Sequence, residues 1–549
     1  MAVPPTSGIT VPGAQLTRRG FLAAGVAGGF ALAACSQDKA APSGSAQMAA
    51  AIAAAEAARP HSGRTVTASL TAQQVQVDLG GPVVRTLAYG NTIPGSPIRA
   101  RIGDELVVTV ANRLDHPTSV HWHGIALRND MDGAPPATPD IPAGQDFTYR
   151  FSVPNSGTYW AHPHTGLDAD TGLYLPVIVD DPTEGNYDAE WVVVLDDWTD
   201  GIGKSPQQLF RELSSPNKPA PPSEPVSTTT TPTASTTTTT TTTGETSTTT
   251  SSTETSATST SPTSSGSPTA AATGGPAGRS DLLGGDAGEI AYPYYLINGR
   301  IPAAPMTFSA KPGQRIRIRF INSGSDTTFR VALAGHSMTV THTDGYPVVP
   351  TQVDALLVGM AERYDVIVTA ADGVFPLVAL AEGKNALARA VLSTGAGSAP
   401  DPGFQPAELN RRVGTVEMFT ATTPVNLGRP QPGLNLPVVL GGNMVRYDWT
   451  INGKPYRDTQ PLHVRQGERP TLTFDNPTMM YHPIHLHGHT FQLIKADGSP
   501  GARKDTLMVL PGQKLLAVLV ADNPGVWMLH CHNTYHQEAG MQTRLDYVF

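Results

Sequence analysis

The sequence predicts an all-β protein built from three tandem β domains, and three observations carry that expectation. Glycine (54) and proline (49) are abundant in the 549 residues while aromatics make up 6%, a composition of short strands and frequent turns rather than long helices. A pattern recurs three times, as RIGDELVVTVAN at 101–112, KPGQRIRIRFIN at 311–322 and RQGERPTLTFDN at 465–476, each with an Asn nine residues after its Gly. In the middle copy Ile316, Ile318 and Phe320 alternate with Arg315, Arg317 and Arg319, the period-2 signature of a half-buried strand. LINGRIP (296–302) and TINGKPY (450–456) precede the second and third copies, and the looser YGNTIPG (89–95) the first. Matched spacing in three copies points to three domains of one plan.

Taken in order, residues 1–35 read as an export signal. Arg18 and Arg19 precede the apolar run FLAAGVAGGFALAA at 21–34, too short to span a bilayer as a helix and placed as in a Tat-type signal. LAAC at 32–35 resembles a bacterial lipoprotein box, with Cys35 as the lipidated residue. Tat substrates are commonly exported folded with a cofactor loaded. The chain is therefore expected in the cell envelope, anchored to the outer face of the cytoplasmic membrane and facing the periplasm. Residues 36–60, rich in Ala and small polar residues, read as a tether, and 61–200 as the first β domain. A linker at 201–286 holds a Ser/Thr-rich insertion at 222–280 with eight consecutive threonines from Thr236 to Thr243; it lacks the apolar residues to order itself. The second domain is expected at 287–400 and the third at 401–549.

With 15% charged residues and a formal net charge of -9, the chain offers no basic face for nucleic acid. With Cys35 assigned to the lipid, Cys531 stands alone, so no disulfide framework exists and that thiol is buried, reactive or a ligand.

The repeats differ in their histidines. The first holds HWHG (121–124) and YWAHPHTG (159–166), the third HPIHLHGH (482–489) and WMLHCHNTYHQEAGM (527–541), and the second has no such pairs. On a strand, residues i and i+2 share a face, so His121/His123, His162/His164, His485/His487 and His530/His532 each present two imidazoles together. Eight imidazoles exceed one metal's needs and suit about three ions, at an interface between the first and third domains. Zinc also takes imidazole, but a structural zinc uses four ligands and a catalytic one about three. Cys531 points to the opposite strand face, where His536, Met541 and His482 complete the two-imidazole, thiolate and thioether set of a blue-copper electron-transfer site. The path between the sites is then on the order of 12 Å. His61, His116, His336, His342, His463 and His489 lack partners at ligand spacing and are expected in surface or supporting roles.

These four segments resemble the copper-binding segments of the multicopper oxidases, the family of laccases, ascorbate oxidase and bacterial cuprous oxidases. With the signal features they look most like the mycobacterial multicopper oxidase lipoproteins linked to copper tolerance. The resemblance implies three cupredoxin-like Greek-key β-barrel domains and four copper ions. Type 1 copper would take His482, Cys531, His536 and Met541, and type 2 would take His121 and His485. The type 3 pair would take His123, His162 and His532 on one ion and His164, His487 and His530 on the other. The implied reaction is one-electron oxidation of substrate at type 1, coupled to four-electron reduction of O2 to water at the cluster; Cys531, His530 and His532 carry the electrons between them. Asp132 falls where relatives keep an acid that assists oxygen reduction. Gln537 falls where several bacterial relatives have a proton-delivering carboxylic acid, leaving Glu538 or a water chain to serve. The cuprous oxidases' Asp-Met-Met stretch is here Thr478-Met479-Met480, so Met480 is a candidate Cu(I) dock.

The expected reductants are Cu(I), phenols or aromatic amines, and Fe(II), and the expected state is a monomer. Two other functions are open to the same residues. A copper-sequestering surface protein would release copper without consuming O2, and a copper nitrite reductase would have little use for so many histidine pairs.

Overall fold

The computed structural model describes residues 44–181, 184–185, 187–215 and 278–549. The arginine pair, the apolar run, Cys35 and nearly all of the Ser/Thr-rich insertion lie outside the described residues. Two compact units divide the chain between Gln47 and Met48.

Residues 48–549 hold three pairs of facing sheets. In the first pair the sheets run Val83–Tyr89, Thr65–Asp78, Glu105–Asn112, Asp146–Ser152 and Ile98–Arg101, Leu175–Asp180, Gly157–His162, His121–His123. The second and third pairs repeat this plan with six strands, and with six and five strands. The sequence repeat is a structural repeat. Glu105–Asn112, Arg315–Asn322 and Thr471–Asp475 each lie between a parallel neighbour and an antiparallel one.

The repeated Asn is buried each time and makes the same bonds, which explains its fixed place. Asn112 Oδ1 accepts from Leu114 N while its Nδ2 donates to the His116 and Ile141 carbonyls. Asn322 does the same with Gly324 N and the Thr327 and Val358 carbonyls, and Asn476 with Thr478 N and the Met480 and Val509 carbonyls. A buried amide satisfied at both ends pins the turn after the strand.

The structure corrects several expected boundaries. Ala189–Trp198, placed before the boundary at 200, pairs parallel with Arg315–Asn322 and antiparallel with Tyr294–Ile297, so it belongs to the middle sandwich. Val413–Gly414, placed after the boundary at 401, pairs with Ala355–Val358 of that same sandwich. Arg279–Ser280, the end of the expected insertion, pairs with Gly285–Asp286 and is held by Ser280 Oγ donating to Glu382. Within the expected tether, Gly44–Ala57 is an α-helix, as an alanine-rich run favours. Its end is fastened: Glu56 Oε1 accepts from Ser152 N at 3.0 Å and Arg59 Nη2 donates to Asn523 at 2.9 Å.

Candidate metal centre

Strand pairing builds the site. His121–His123 pairs with Gly157–His162 so that His121 faces His162, and His482–Leu486 pairs with Val526–Cys531 so that His485 faces His530. In the middle sandwich the equivalent hairpin neighbours are Phe329–Leu333 and Val374–Ala381, which carry no histidine. The four His-x-His pairs therefore come from the first and third sandwiches, as expected.

Their side chains converge in groups. Ligand atoms of His123, His162 and His532 lie within 4.8 Å of one another, as do those of His164, His487 and His530, of His121, His123 and His485, and of His482, Cys531 and His536. His487 Nε2 and His164 Nε2 lie 3.1 and 3.2 Å from His530 Nε2, and His162 Nε2 lies 3.4 Å from His532 Nε2. His482 Nδ1 and His536 Nδ1 are 3.2 Å apart, with Cys531 Sγ at 3.7 and 3.8 Å from them. Met541 is buried beside them; its backbone carbonyl accepts from Cys531 N and its N donates to the His536 carbonyl.

The outer nitrogens explain the inner ones. His121 Nδ1 donates to the Asp132 carbonyl, His162 Nδ1 to the Pro163 carbonyl, His485 Nδ1 to the Asp505 carbonyl and His530 Nδ1 to the Cys531 carbonyl, all at 2.9 Å. His487 Nδ1 donates to Asp132 Oδ2 at 2.9 Å. A neutral imidazole carries one N–H, so in these rings the inward Nε2 is a bare lone pair. The inward nitrogens of His121 and His485 are buried with no hydrogen-bond partner, as is Nδ1 of His123. Burial, joined by neighbouring imidazoles, holds the pKa values of His123, His162, His164, His487, His530 and His532 well below the ordinary histidine value, so the rings are neutral. Bare lone pairs packed at such distances fit cations between them. Metal–nitrogen bonds of about 2.0–2.1 Å put tetrahedrally placed nitrogens roughly 3.3 Å apart, close to the spacings here. Burial pushes the Cys531 thiol far above its usual pKa, so a cation binding there must displace its proton.

Asp132 serves His487 through its carboxylate and His121 through its carbonyl. Gln537 Nε2 is 3.5 Å from His164 Nδ1, while Glu538 is exposed. Met480 is corrected: its side chain is 1% exposed in the core while Met479 is 80% exposed. Thr478, donating to both Asn476 Oδ1 and the Met480 carbonyl, ties the turn that sends Met480 inward. A thioether sealed in the core cannot receive an ion from solvent. The six unpartnered histidines stay out of these groups. His61 bonds the Glu56 carbonyl, His116 meets Asp168, His336 is held by Ala334 and Ala371, His342 pairs with Glu184, His489 meets Tyr547, and His463 is exposed.

Residues not anticipated from sequence complete the surroundings. Asp505 Oδ1 accepts from His123 Nε2 at 3.1 Å. Glu289 Oε2 accepts from His536 Nε2 at 3.1 Å, Thr478 Oγ1 lies 2.9 Å from His482 Nε2, and Trp449 packs on His536 with ring centroids 4.1 Å apart. Trp160 stacks on His162 at 4.2 Å. The one sequence trace of Asp505 is a Lys-Asp pair opening the apolar strand Thr506–Val509.

Three β-sandwiches with buried, metal-ready histidine groups shared between the first and last define a metal-dependent redox protein. Multicopper oxidase family models match residues 71–184, 189–397 and 429–548, and the chain belongs to the multicopper oxidases, which are copper-containing oxidoreductases. It is 68% identical over 547 residues to multicopper oxidase MmcO of Mycobacterium tuberculosis, covering 99% of both chains. It is 28% identical over 585 aligned residues to copper resistance protein A of Escherichia coli, covering 86% of this chain and 91% of that protein. Among solved structures, the fold matches a multi-copper oxidase from Pseudomonas thermotolerans at 24% identity with a TM-score of 0.62, over 88% of this chain and 99% of that one. It also matches Fet3p, described as a multicopper oxidase that functions in iron import, at 19% identity and a TM-score of 0.67, over 88% and 90%.

Proposed function

We propose that this oxidase holds four coppers and uses them to oxidise Cu(I), and more loosely phenols, in the service of copper tolerance. His482, Cys531, His536 and Met541 would hold type 1 copper. His121 and His485 would hold type 2, and the two type 3 ions would sit on His123, His162 and His532 and on His164, His487 and His530. When bound, copper at these positions supplies one-electron transfer at the first site and O2 binding and reduction at the others. The observation that carries this reading is one strand end: Cys531 reaches the His482/His536 group while its neighbours His530 and His532 reach two different histidine groups. An electron entering at the sulfur thus crosses only two adjacent residues.

This chain's residues do the rest. Asp132 and Asp505 orient the imidazoles by accepting hydrogen bonds from their outer N–H groups. Trp449 and the apolar surroundings keep water from the Cys531 site. Thr478 bonds His482, and the next residue, Met479, offers solvent the soft thioether that cuprous ions prefer. The copper-resistance label carried by copper resistance protein A agrees with a cuprous substrate. We further assign the chain to the outer face of the cytoplasmic membrane, exported through Arg18/Arg19, anchored at Cys35 and acting as a monomer.

The test is oxygen uptake by the copper-loaded protein supplied with Cu(I), Fe(II) or a phenol. The expected result is O2 consumption at one per four electrons, with kcat/KM highest for Cu(I). Copper release without O2 consumption would overturn the oxidase reading, and a phenol preferred over Cu(I) would overturn the substrate.

A further inference from the structure

The middle sandwich holds none of the histidine groups, yet it reaches the cluster through a buried charge network. Arg363, fully buried, donates from Nη1 and Nη2 to Asp505 Oδ1 and Oδ2, both at 2.6 Å, and from Nε to the Thr158 carbonyl at 3.0 Å. One guanidinium thereby joins all three sandwiches. Asp344 completes the clamp. Its Oδ1 accepts from Arg363 N at 2.9 Å, and its Oδ2 accepts from the backbone N of Asp505 and Thr506 at 3.2 and 3.1 Å. Lys504 Nζ, 3.1 Å from both Asp344 and Glu362, balances the charge.

The clamped residue serves two rings with opposite tautomers. The Asp505 carbonyl accepts from His485 Nδ1, and Asp505 Oδ1 accepts from His123 Nε2. The bare nitrogens left are His485 Nε2 and His123 Nδ1, both buried and without partners. The two rings stack with centroids 3.7 Å apart, so a shift of Asp505 moves both lone pairs.

We propose that Arg363 and Asp344 are positioning residues of the copper-free middle sandwich, which set the tautomer and aim of His485 and His123 through Asp505 and so tune the type 2 site and, through His123, the neighbouring type 3 ion. This rests on the ligand reading above. Only a bidentate fork can hold both carboxylate oxygens while a third N–H meets the Thr158 carbonyl; lysine keeps the charge but not the geometry. Groups that orient metal-binding histidines typically contribute 10–100-fold in metal affinity or activity.

The experiment compares copper-loaded wild type, Arg363→Lys and Asp344→Asn with Arg317→Lys. Arg317 is an equally buried control in the same sandwich, paired with Asp365 and Glu184. The readouts are total copper, type 2 EPR hyperfine coupling, copper retention against a chelator, and the type 1 blue absorption. The expected result for both clamp variants is a changed type 2 EPR signal and roughly 10–100-fold weaker retention of that copper, with blue absorption kept and Arg317→Lys spectroscopically silent. Clamp variants with wild-type type 2 signal and retention would overturn the proposal, as would equal losses at all sites or in the control. Should Arg363→Lys fail to fold, Asp344→Asn carries the test with the same readouts, and failure of both overturns positioning in favour of a purely structural clamp. A wild-type protein without any type 2 signal would instead overturn the ligand reading.

Discussion

Gly124, the last residue of HWHG, should resist replacement because of the buried ion pair packed against it. Its φ is +86°, and a Cβ added there would lie 2.3 Å from Arg363 Nη2 and 2.7 Å from Asp505 Oδ2. Two costs follow for Gly124→Ala. A left-handed backbone with a Cβ costs about 1–2 kcal/mol, partly offset by the stiffer unfolded chain. The methyl also pushes apart a fully buried ion pair, and breaking such a pair outright costs about 3–5 kcal/mol; a partial displacement is worth roughly half of that. The expected loss is about 3 kcal/mol. Unfolding entropy of about 2.1 cal/mol/K per residue makes the melting shift of so large a unit only a few degrees, so equilibrium urea denaturation is the better assay. Gly144→Ala is the control, since Gly144 has φ +72° with nothing within 4 Å of its added Cβ; it should lose only about 1 kcal/mol. Because Asp505 Oδ1 bonds His123, Gly124→Ala should also lower copper content while Gly144→Ala should not. Equal losses of stability in the two variants would refute the crowding argument.

Cys531→Ser should abolish the intense blue absorption and turnover while most of the copper on the other histidine groups stays, read by visible spectra and metal analysis; retained blue colour would show that the sulfur is not a ligand. Met480→Ala should cost about 2–5 kcal/mol as a core truncation, whereas Met479→Ala should change stability by less than about 0.5 kcal/mol and raise the KM for Cu(I). Burial pushes the Asp286 carboxyl up to about 6 from its ordinary 3.8, so its ionisation opposes folding: the penalty is absent below about pH 4, develops as pH rises and is complete above about pH 6. Asp286→Asn should therefore leave stability unchanged near pH 4 and raise it by about 1–2 kcal/mol at pH 8, after allowing for partial exposure, and an equal effect at both pH values would refute the assignment. Cys35→Ala should move the protein from the membrane to the soluble envelope fraction, as followed by immunoblot after fractionation.

What could be read in the sequence was what short-range geometry encodes. His-x-His puts both rings of His121 and His123 on one strand face, and the other three pairs begin on a strand and end just past it, so the histidine pairs and the opposed Cys531 were legible, and so was the Gly-to-Asn spacing that recurs as one turn three times. The clamp could not be read in that way. Asp505 meets His123 across 382 residues, and Arg363 differs in no local respect from Arg317 or Arg319, the arginines whose alternation marked a strand. The Met479–Met480 order was misread for a related reason: both thioethers are chemically apt, and only the Asn476–Thr478 hydrogen bonds decide which one faces solvent. The boundaries at 200 and 401 failed because a parallel strand finds its partner far along the chain, Ala189 opposite Ile316 and Val413 opposite Ala355, where composition gives no signal. These failures fall largely in the middle sandwich, which carries no His-x-His pair and so looked functionally blank. Its Arg363, Asp344 and Asp326 nevertheless bond the segments that carry His485, His123 and His536: Arg363 and Asp344 through the Asp505 segment, and Asp326 by accepting from Asn533 Nδ2 at 2.7 Å, the side chain that caps the helix Thr534–Glu538 bearing His536. On the proposed ligand assignment, a domain without ligands thus holds both ends of the electron path in register, which gives a physical reason for the middle sandwich in a protein whose proposed copper ligands come from the other two.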